Sequence, residues 1–301
     1  MHPLKLYFLV LLLILSTPSF AADVYKSVNK KGQTSYSNQP SSKRLPLVHS
    51  KTPSPRNTPS NWYHPAVGVT WQWQLLGAIN QSYNVQIYDI DLFDTPAATV
   101  QQLKTTGKKV ICYFSAGSYE NWRSDAGTFA PATLGNNLDG WEGERWLDVR
   151  AISVRNVMKA RLDIAKQKGC DGVEPDNVDG YTNSSGFPLT AANQLQFNQF
   201  LATEAHARNL AIGLKNDLDQ ITALVTQFDF AVNEQCFEFA ECSKLAPFIA
   251  AGKPVFNAEY RADYASNAAT RANLCAQANA LNFSTLVLPL TLDDSFRWSC
   301  R

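Results

Sequence analysis

The sequence predicts a (β/α)8 TIM barrel, an α/β fold, with a small N-terminal β-hairpin segment. Three observations support this prediction: eight short, apolar, strand-like runs follow residue 66, amphipathic helices or long loops separate them, and no GxGxxG or GxxxxGKS/T loop occurs. Strands that alternate with helices form a parallel sheet, and eight such strands favour a barrel. A doubly wound open sheet is the alternative, but it would normally have fewer strands and a phosphate-binding glycine loop.

The barrel elements follow one another within residues 66–301. The predicted strands are 69–74, 85–92, 109–116, 172–177, 211–216, 230–235, 254–260 and 285–290. The clearest predicted helices are 96–106, 152–167, 191–208, 218–225, 244–250 and 265–280.

Residues 1–21 have the pattern of a secretory signal peptide. Lys5 supplies a positive start, residues 6–15 are apolar but too short to span a bilayer, and Ser19 and Ala21 are small residues at the cleavage positions. An N-terminal membrane anchor is the alternative. No later segment is long and apolar enough to be a membrane span. We therefore expect a secreted or periplasmic protein.

Residues 22–40 predict a short β-hairpin, because two alternating runs flank the turn sequence 29–32, NKKG. This stretch resembles the short domain of unknown function that follows the signal peptide in many proteobacterial envelope proteins. The resemblance implies no chemistry. Residues 41–65 are rich in Pro, Ser and Lys and predict an extended linker.

Charge and histidine content narrow the chemistry. The formal net charge of +1 provides no long-range field that would attract nucleic acid or anionic lipid. Of four histidines, His2 lies in the signal, His49 and His64 lie in the linker, and His206 is expected on a helix surface. The barrel therefore lacks a three-histidine metal site and a Ser-His-Asp triad, and we expect no cofactor. Proton transfer must rest on carboxylates, lysine or tyrosine.

Six cysteines in an exported chain predict disulfides. One pair is close enough in sequence to close a small loop, a second could tie the C-terminal tail to the last helix, and the third follows by elimination. The expected pairs are Cys236–Cys242, Cys275–Cys300 and Cys112–Cys170. Metal ligation is the alternative, but no CxxC pair or histidine cluster supports it.

Acidic residues lie at the ends of the predicted strands, where a barrel forms its active-site mouth. Because strand side chains alternate, Asp89 shares a face with Asp91, and Glu174 shares one with Asp176. The other acids at or after strand ends are Asp179, Glu234, Glu259 and Asp293. Any single one could be a turn former. Acids from five strands around one mouth predict a functional cluster, because buried like charges are unfavourable unless they are paired or used.

Aromatic residues accompany these acids, and we assign roughly half of them to core packing. The set comprises Trp71, Trp73, Tyr88, Tyr113, Trp122, Trp146, Tyr181 and Tyr260. Flat sugar faces stack on aromatic rings, while amides and carboxylates bind hydroxyls. Lys215 and Asn216, at the end of the fifth strand, could bind a hydroxyl or hold a carboxylate ionised. An acidic, aromatic cleft suits a polymer of partly cationic sugars.

Six motifs carry a family resemblance across nearly the whole stretch from Trp71 to the last strand. They are WQWQLLG (71–77), YDID (88–91), CYFSAGSYENWR (112–123), GCDGVEPDNVDGY (169–181), GLKND (213–217) and AVNEQC (231–236). In this order they resemble the endo-α-1,4-polygalactosaminidase family, glycoside hydrolase family 114. The resemblance implies a barrel fold, hydrolysis of an α-1,4-linked galactosamine-rich polysaccharide, and catalytic acids at Asp176 and Glu234.

Two carboxylates that flank a glycosidic bond define the expected mechanism. Glu234 is the expected general acid, and Asp176 the nucleophile, or the base if the reaction inverts. The expected substrate-binding residues are Trp71, Asp89, Asp91, Tyr113, Asp148, Glu174, Lys215, Asn216 and Tyr260. No protein partner is evident. The alternatives are an inactive carbohydrate-binding barrel, a glycosidase for another α-linked glycan, and a hairpin that tethers the protein to an envelope partner.

Overall fold

A computed structural model describes residues 61–301 and, before them, the strands Tyr25–Val28 and Thr34–Ser37. The chain consists of two units, Met1–Thr58 and Pro59–Arg301. In the first unit the two strands pair antiparallel, with Tyr25 opposite Ser37 and Val28 opposite Thr34. The predicted hairpin is confirmed. The predicted signal peptide, and the predicted linker up to residue 60, lie outside the described residues.

The described elements are numbered in chain order. The strands are β1 (Tyr25–Val28), β2 (Thr34–Ser37), β3 (Trp71–Gln74), β4 (Ile87–Asp91), β5 (Lys109–Ser115), β6 (Ser118–Glu120), β7 (Leu134–Asn137), β8 (Glu144–Leu147), β9 (Gly172–Asp176), β10 (Ala211–Lys215), β11 (Phe230–Glu234), β12 (Val255–Glu259), β13 (Ser284–Val287) and β14 (Trp298–Ser299). The helices are α1 (Ala97–Thr105), α2 (Ile152–Lys168), α3 (Ala191–Ala207), α4 (Ile221–Leu224), α5 (Ala246–Ala250), α6 (Ala262–Ser266) and α7 (Ala268–Ala280).

One curved sheet forms the framework, in the order β14-β13-β12-β11-β10-β9-β5-β4-β3. All strands from β3 to β13 in this sheet are parallel, and β14 adds an antiparallel edge. Side chains link the first and last parallel strands, since Ser284 Oγ donates to Val69 O at 2.7 Å and Trp71 Nε1 donates to Ser284 O at 2.8 Å. The eight predicted strands and the predicted barrel class are confirmed.

Alternation along the strands divides the buried residues between two cores. Ile87 and Ile111 belong to the core inside the barrel, which also holds Trp71 and Trp73. Their neighbours Tyr88, Val110 and Cys112 belong to the core between sheet and helices. Residues two positions apart on a barrel strand share a face. The side chains that follow the interior residues at the strand ends are therefore the ones presented at the mouth.

A three-stranded antiparallel sheet, in the order β6-β8-β7, interrupts the barrel between β5 and α2. No pattern in the sequence predicts this insertion. Its strands have only three or four residues each, which is too short for a reliable alternating pattern.

Residues 61–65, assigned to the linker from the sequence, pack against the barrel. Trp62 Nε1 donates to Asp229 Oδ1 at 3.0 Å, and the ring of Trp62 stacks on His206 with centroids 4.0 Å apart. His206 is half-buried and lies 2.9 Å from Asp229 Oδ2. The expectation of a plain surface histidine is therefore wrong. Asp229 directly precedes β11, so this cluster sits at the amino end of the strand, opposite the mouth.

All three expected disulfides are confirmed. They join Cys112 to Cys170, Cys236 to Cys242 and Cys275 to Cys300. Among the described residues, no helix is both long and apolar enough to cross a membrane.

Gly213 provides a test of interior packing. A Cβ at this position of β10 would lie 2.3 Å from the ring of Phe230, which is fully buried and has no room to move. We predict that Gly213→Ala lowers the free energy of unfolding by about 1–3 kcal/mol, the usual cost of overpacking. Gly127→Ala is the control, because a Cβ there meets nothing within 4 Å. Urea unfolding of both variants measures the difference, and equal stabilities would contradict the packing described.

Candidate active site

Three neighbouring strands bring the central residues together. β10 lies between β9 and β11. Phe230 and Val232 belong to the interior core, so the next residue on that face of β11 is Glu234. The same alternation places Asp176 at the end of β9 and Lys215 at the end of β10. Parallel strands end at one mouth, so these side chains converge there.

Lys215 is the centre of the cluster. Its Nζ lies 3.1 Å from Asp176 Oδ1, 3.3 Å from Glu234 Oε2 and 3.3 Å from Glu174 Oε1. The Lys215 side chain is only 3% exposed, and the ring of Trp73 lies 4.8 Å from its ammonium. Burial alone would lower the pKa of Lys215, but the surrounding carboxylates raise it well above its ordinary value. The lysine is therefore a fixed positive charge.

A tyrosine donates a hydrogen bond to the second oxygen of each of the two partly exposed carboxylates, Asp176 and Glu234. Tyr113 donates to Asp176 Oδ2 at 3.0 Å, and Tyr260 donates to Glu234 Oε1 at 2.6 Å. Burial is the first cause that raises the pKa of both tyrosines well above the ordinary value, and the nearby carboxylate charges add to it. Both hydroxyls therefore remain neutral donors.

An asparagine that follows each strand completes the contacts. The backbone N–H of Asn177 donates to Asp176 Oδ1 at 2.7 Å, and Asn216 Nδ2 donates to Glu234 Oε2 at 3.3 Å. Both asparagines adopt left-handed backbone conformations, with φ of 58° and 47°. Asparagine tolerates this conformation better than most residues. The local sequences PDN and KND therefore allow the chain to turn sharply just beyond the strand end.

Glu174 and Asp89 form a second, fully buried layer. Burial raises the pKa of Asp89 to about 7, and burial followed by the charge of Asp89 raises the pKa of Glu174 well above its ordinary value. The raised pKa values favour the protonated forms of these two buried carboxyl groups. Because neither is exposed, the expectation that they contact substrate is not supported by their positions.

Three other predicted substrate-binding residues lie away from the cluster. Asp91 is 3% exposed and faces Arg123, whose NH1 and NH2 donate to its two oxygens at 3.0 and 2.6 Å. Asp148 pairs with Arg150 at 2.8 and 2.9 Å, which lowers the pKa of Asp148. Trp71 is buried deep inside the barrel and bonded to Ser284. Each of the three therefore already has a partner within the protein.

Two further acids at strand ends also have other roles. Glu259 is fully buried and accepts a hydrogen bond from the backbone N–H of Phe237 at 3.0 Å. Asp293 accepts one from the backbone N–H of Ser295 at 2.9 Å, which is the first cause of its lowered pKa. Both behave as turn-forming residues.

Asp217, which lies directly after Asn216, is not among the site residues expected from the sequence. Asp217 is 4% exposed and accepts a hydrogen bond from Asn198 Nδ2 at 2.8 Å. Burial, followed by the charge of Asp179, raises the pKa of Asp217 to about 8. Burial followed by the charge of Asp176 raises the pKa of Asp179 to about 6. The only signal for Asp217 in the sequence was its place in the GLKND motif.

A chain of hydroxyls connects the site to the insertion. Asn177 Nδ2 donates to Ser115 Oγ at 2.9 Å, Ser115 and Ser118 share a hydrogen bond of 2.6 Å, and Ser118 Oγ donates to Glu144 Oε2 at 2.6 Å. Burial raises the pKa of Glu144 to about 7. One end of this series of hydrogen bonds is Asn177, next to Asp176, so the series fixes the turn that follows β9.

Of the three carboxylates around Lys215, Asp176 and Glu234 are the two that a ligand can reach, with side chains 19% and 26% exposed. Oδ1 of Asp176 and Oε2 of Glu234 contact the same lysine nitrogen, so the sum of those two distances, about 6.4 Å, is the largest possible separation between them. A pair this close can act from opposite sides on one bond. The part of the chain that the structure describes holds no group of three or more His, Cys, Asp or Glu side chains arranged for a metal ion.

Comparisons with known proteins agree with this geometry. Residues 52–301 match the model of glycoside-hydrolase family GH114. Residues 11–61 match DUF4124, a domain of unknown function. Both matches confirm the resemblances found in the sequence. A search of curated proteins finds no match to the chain.

Solved structures are also similar to this chain. Ega3 of Aspergillus fumigatus, determined in complex with galactosamine, is 46% identical, with a TM-score of 0.76 over 79% of this chain and 97% of Ega3. The glycoside hydrolase domain of PelA from Pseudomonas aeruginosa is 14% identical, with a TM-score of 0.61 over 75% of this chain and 96% of that domain; this likeness shows the fold alone. The family match spans most of the sequence and includes every residue of the carboxylate cluster, and the chain therefore belongs to glycoside-hydrolase family GH114.

Proposed function

We propose that this protein is an endo-acting glycoside hydrolase that cleaves α-1,4-linked, galactosamine-rich polysaccharide. The observation that carries the proposal is the pair of reachable carboxylates, Asp176 and Glu234, held on one buried lysine. The substrate class rests on the similarity to Ega3, whose structure contains galactosamine. It also agrees with charge, since acidic groups outnumber the single cation in the cluster and would attract ammonium groups on the sugar.

Asp176 is proposed as the nucleophile. Lys215, Tyr113 and the backbone N–H of Asn177 stabilise its negative charge. An oxygen of Asp176 attacks the anomeric carbon while the bond from that carbon to the leaving oxygen breaks. The two carboxylate oxygens that contact Lys215 are at most about 6.4 Å apart, and the carboxyl groups of retaining enzymes are about 5–5.5 Å apart. We therefore propose a covalent intermediate on Asp176 and retained configuration.

Glu234 is proposed as the general acid. It gives its proton to the leaving oxygen, then accepts a proton from the water that hydrolyses the bond to Asp176. Its side chain is the more exposed of the two, and Tyr260 and Asn216 fix its orientation. Lys215 remains positive throughout and contacts both acids while the charge between them changes.

Export to the periplasm or the exterior is proposed on two grounds. The N-terminal residues have the pattern of a signal peptide, and three disulfides are characteristic of an oxidising compartment.

The two acids can be tested directly. We predict that Asp176→Asn and Glu234→Gln each lower turnover of galactosamine oligomers by at least about 10²-fold, because each removes a group that exchanges a bond or a proton. Mass spectrometry of the products measures turnover, and thermal melting shows that the fold is intact. Asp163→Asn is the control, since Asp163 is an exposed residue of α2 that pairs with Arg208, just before the amino end of β10 and opposite the mouth. Near-normal turnover by either acid variant would remove the assignment.

The buried pair predicts a dependence of stability on pH. The pKa of Asp89 is about 7 in the folded protein, against 3.8 for an ordinary aspartate. The folded state therefore binds more protons than the unfolded state, and the stability present below pH 4 is lost as pH rises through 7. Asp89→Asn cannot ionise, so the variant should lose less unfolding free energy than the wild type between pH 5 and pH 8.

Urea unfolding at the two pH values gives this comparison. Asp293→Asn is the control, because Asp293 is exposed and its pKa is lowered, and it should leave the pH dependence unchanged. If Asp89→Asn and the wild type lose stability equally between the two pH values, the pKa of Asp89 is not raised as described.

A further inference from the structure

A groove of about 680 Å³ lies in the β6–β8 insertion, and none of its lining residues belongs to the Lys215 cluster. Its walls include aromatic, amide and acidic side chains. The members used below are Asn121, Asn137, Asp139, Trp141, Glu142 and Arg145. This combination of flat apolar faces and hydrogen-bonding groups is typical of carbohydrate sites.

Two tryptophans beside this groove are unusually open to solvent. Trp141 is 51% exposed and Trp122 is 52% exposed. The ring of Trp122 lies over Gly143, where a Cβ would come within 3.0 Å of the ring and 2.9 Å of the Asn121 side chain. Gly143 has a φ of +90°, which also favours glycine. Glycine at this position lets the ring of Trp122 and the side chain of Asn121 approach the backbone closely. Exposed apolar surface of this kind commonly marks a binding site.

The free charge of the groove is negative. Asp139 and Glu142 are exposed on its rim. Arg145 is the only basic residue in the lining, and its guanidinium already donates to Gly135 O and Leu134 O at 2.9 Å each. A ligand that combines flat sugar faces with ammonium groups matches both the rings and the charge.

The groove lies on the same face of the barrel as the catalytic carboxylates. The insertion leaves β5 at its carboxyl end, and the backbone N–H of Gly117 donates to Asp176 O at 3.0 Å. From Ser118, beside this contact, β6 leads to Asn121 in the groove wall, a distance of about 10 Å at roughly 3.3 Å per residue. A polymer held at Asp176 therefore needs to extend only a short distance to reach the groove wall at Asn121.

We propose that this groove is a second binding site for the galactosamine-rich chain, distinct from the site of cleavage. It rests on the proposed function, because the polymer that it binds is the substrate proposed above. Trp141 and Trp122 stack on sugar rings, and Asp139 and Glu142 bind ammonium groups. Long chains occupy the groove and the catalytic mouth together, which raises their apparent affinity over that of short chains.

The test compares chain lengths. In Trp141→Ala, we expect kcat/KM for long galactosamine polymer to fall at least 10-fold through a higher KM with kcat unchanged, the signature of lost uniform binding. For short oligomers that fill only the mouth, kcat/KM should stay within twofold. Trp141→Phe keeps a ring and should retain most of the affinity. Trp298→Ala, which removes an equally open tryptophan of β14, is the matched control and should change neither value.

Binding can be measured without cleavage in the Asp176→Asn background. Titration with the polymer should show a weaker Kd when Asp139→Asn and Glu142→Gln are added, and the difference should shrink at high salt. The proposal is overturned if Trp141→Ala has the same kcat/KM as the unaltered enzyme at every chain length. It is also overturned if Trp141→Ala loses kcat/KM equally on short and long substrates. If the unaltered enzyme cuts no galactosamine chain of any length, it is the proposed function that fails, and this outcome is distinguishable from the others.

Discussion

The ammonium group of Lys215 is the interaction on which the site depends. Three carboxylates lie within 3.3 Å of it, and without a cation their mutual repulsion and burial would be strongly unfavourable. The position of Lys215 follows from the fold, because β10 lies between the strands that end in Asp176 and Glu234. Gly213, two residues earlier on the same face, leaves space for Phe230 inside the barrel. The packing of Phe230 beside Gly213 and the surrounding carboxylates together fix the position of the Lys215 side chain.

The buried layer controls how much negative charge Lys215 must balance. Burial raises the pKa of both Asp89 and Glu174, which favours their protonated forms and limits the negative charge in this layer. Glu174 contacts Lys215 from this layer, and Asp176 and Glu234 contact it at the mouth. Because Tyr113 and Tyr260 stay neutral, each can donate to its carboxylate without adding charge. These contacts prepare the two acids before a substrate arrives.

The barrel was predictable because its strands and helices repeat with clear periods, and the alternation that defines the interior face also identifies Asp176, Lys215 and Glu234. The roles of Asp91 and Asp148 were not predictable in the same way. Each pairs with an arginine, and for Asp91 the partner comes from the insertion, whose short strands carry no pattern. Asp217 was missed because its burial depends on Asn198 of a distant helix. For Asp91 and Asp217, contacts between segments far apart in sequence decided the outcome.

The central claim is that Asp176 and Glu234, held on one lysine, act as the nucleophile and the general acid on one glycosidic bond. The configuration of the first product tests it most directly. Proton NMR of the reaction at early times, before the sugar anomers interconvert, shows which anomer is released. The account predicts that the α-anomer of the new reducing end appears first, since a covalent intermediate on Asp176 reverses the configuration twice. Release of the β-anomer first would mean that water attacks directly, and would contradict the account.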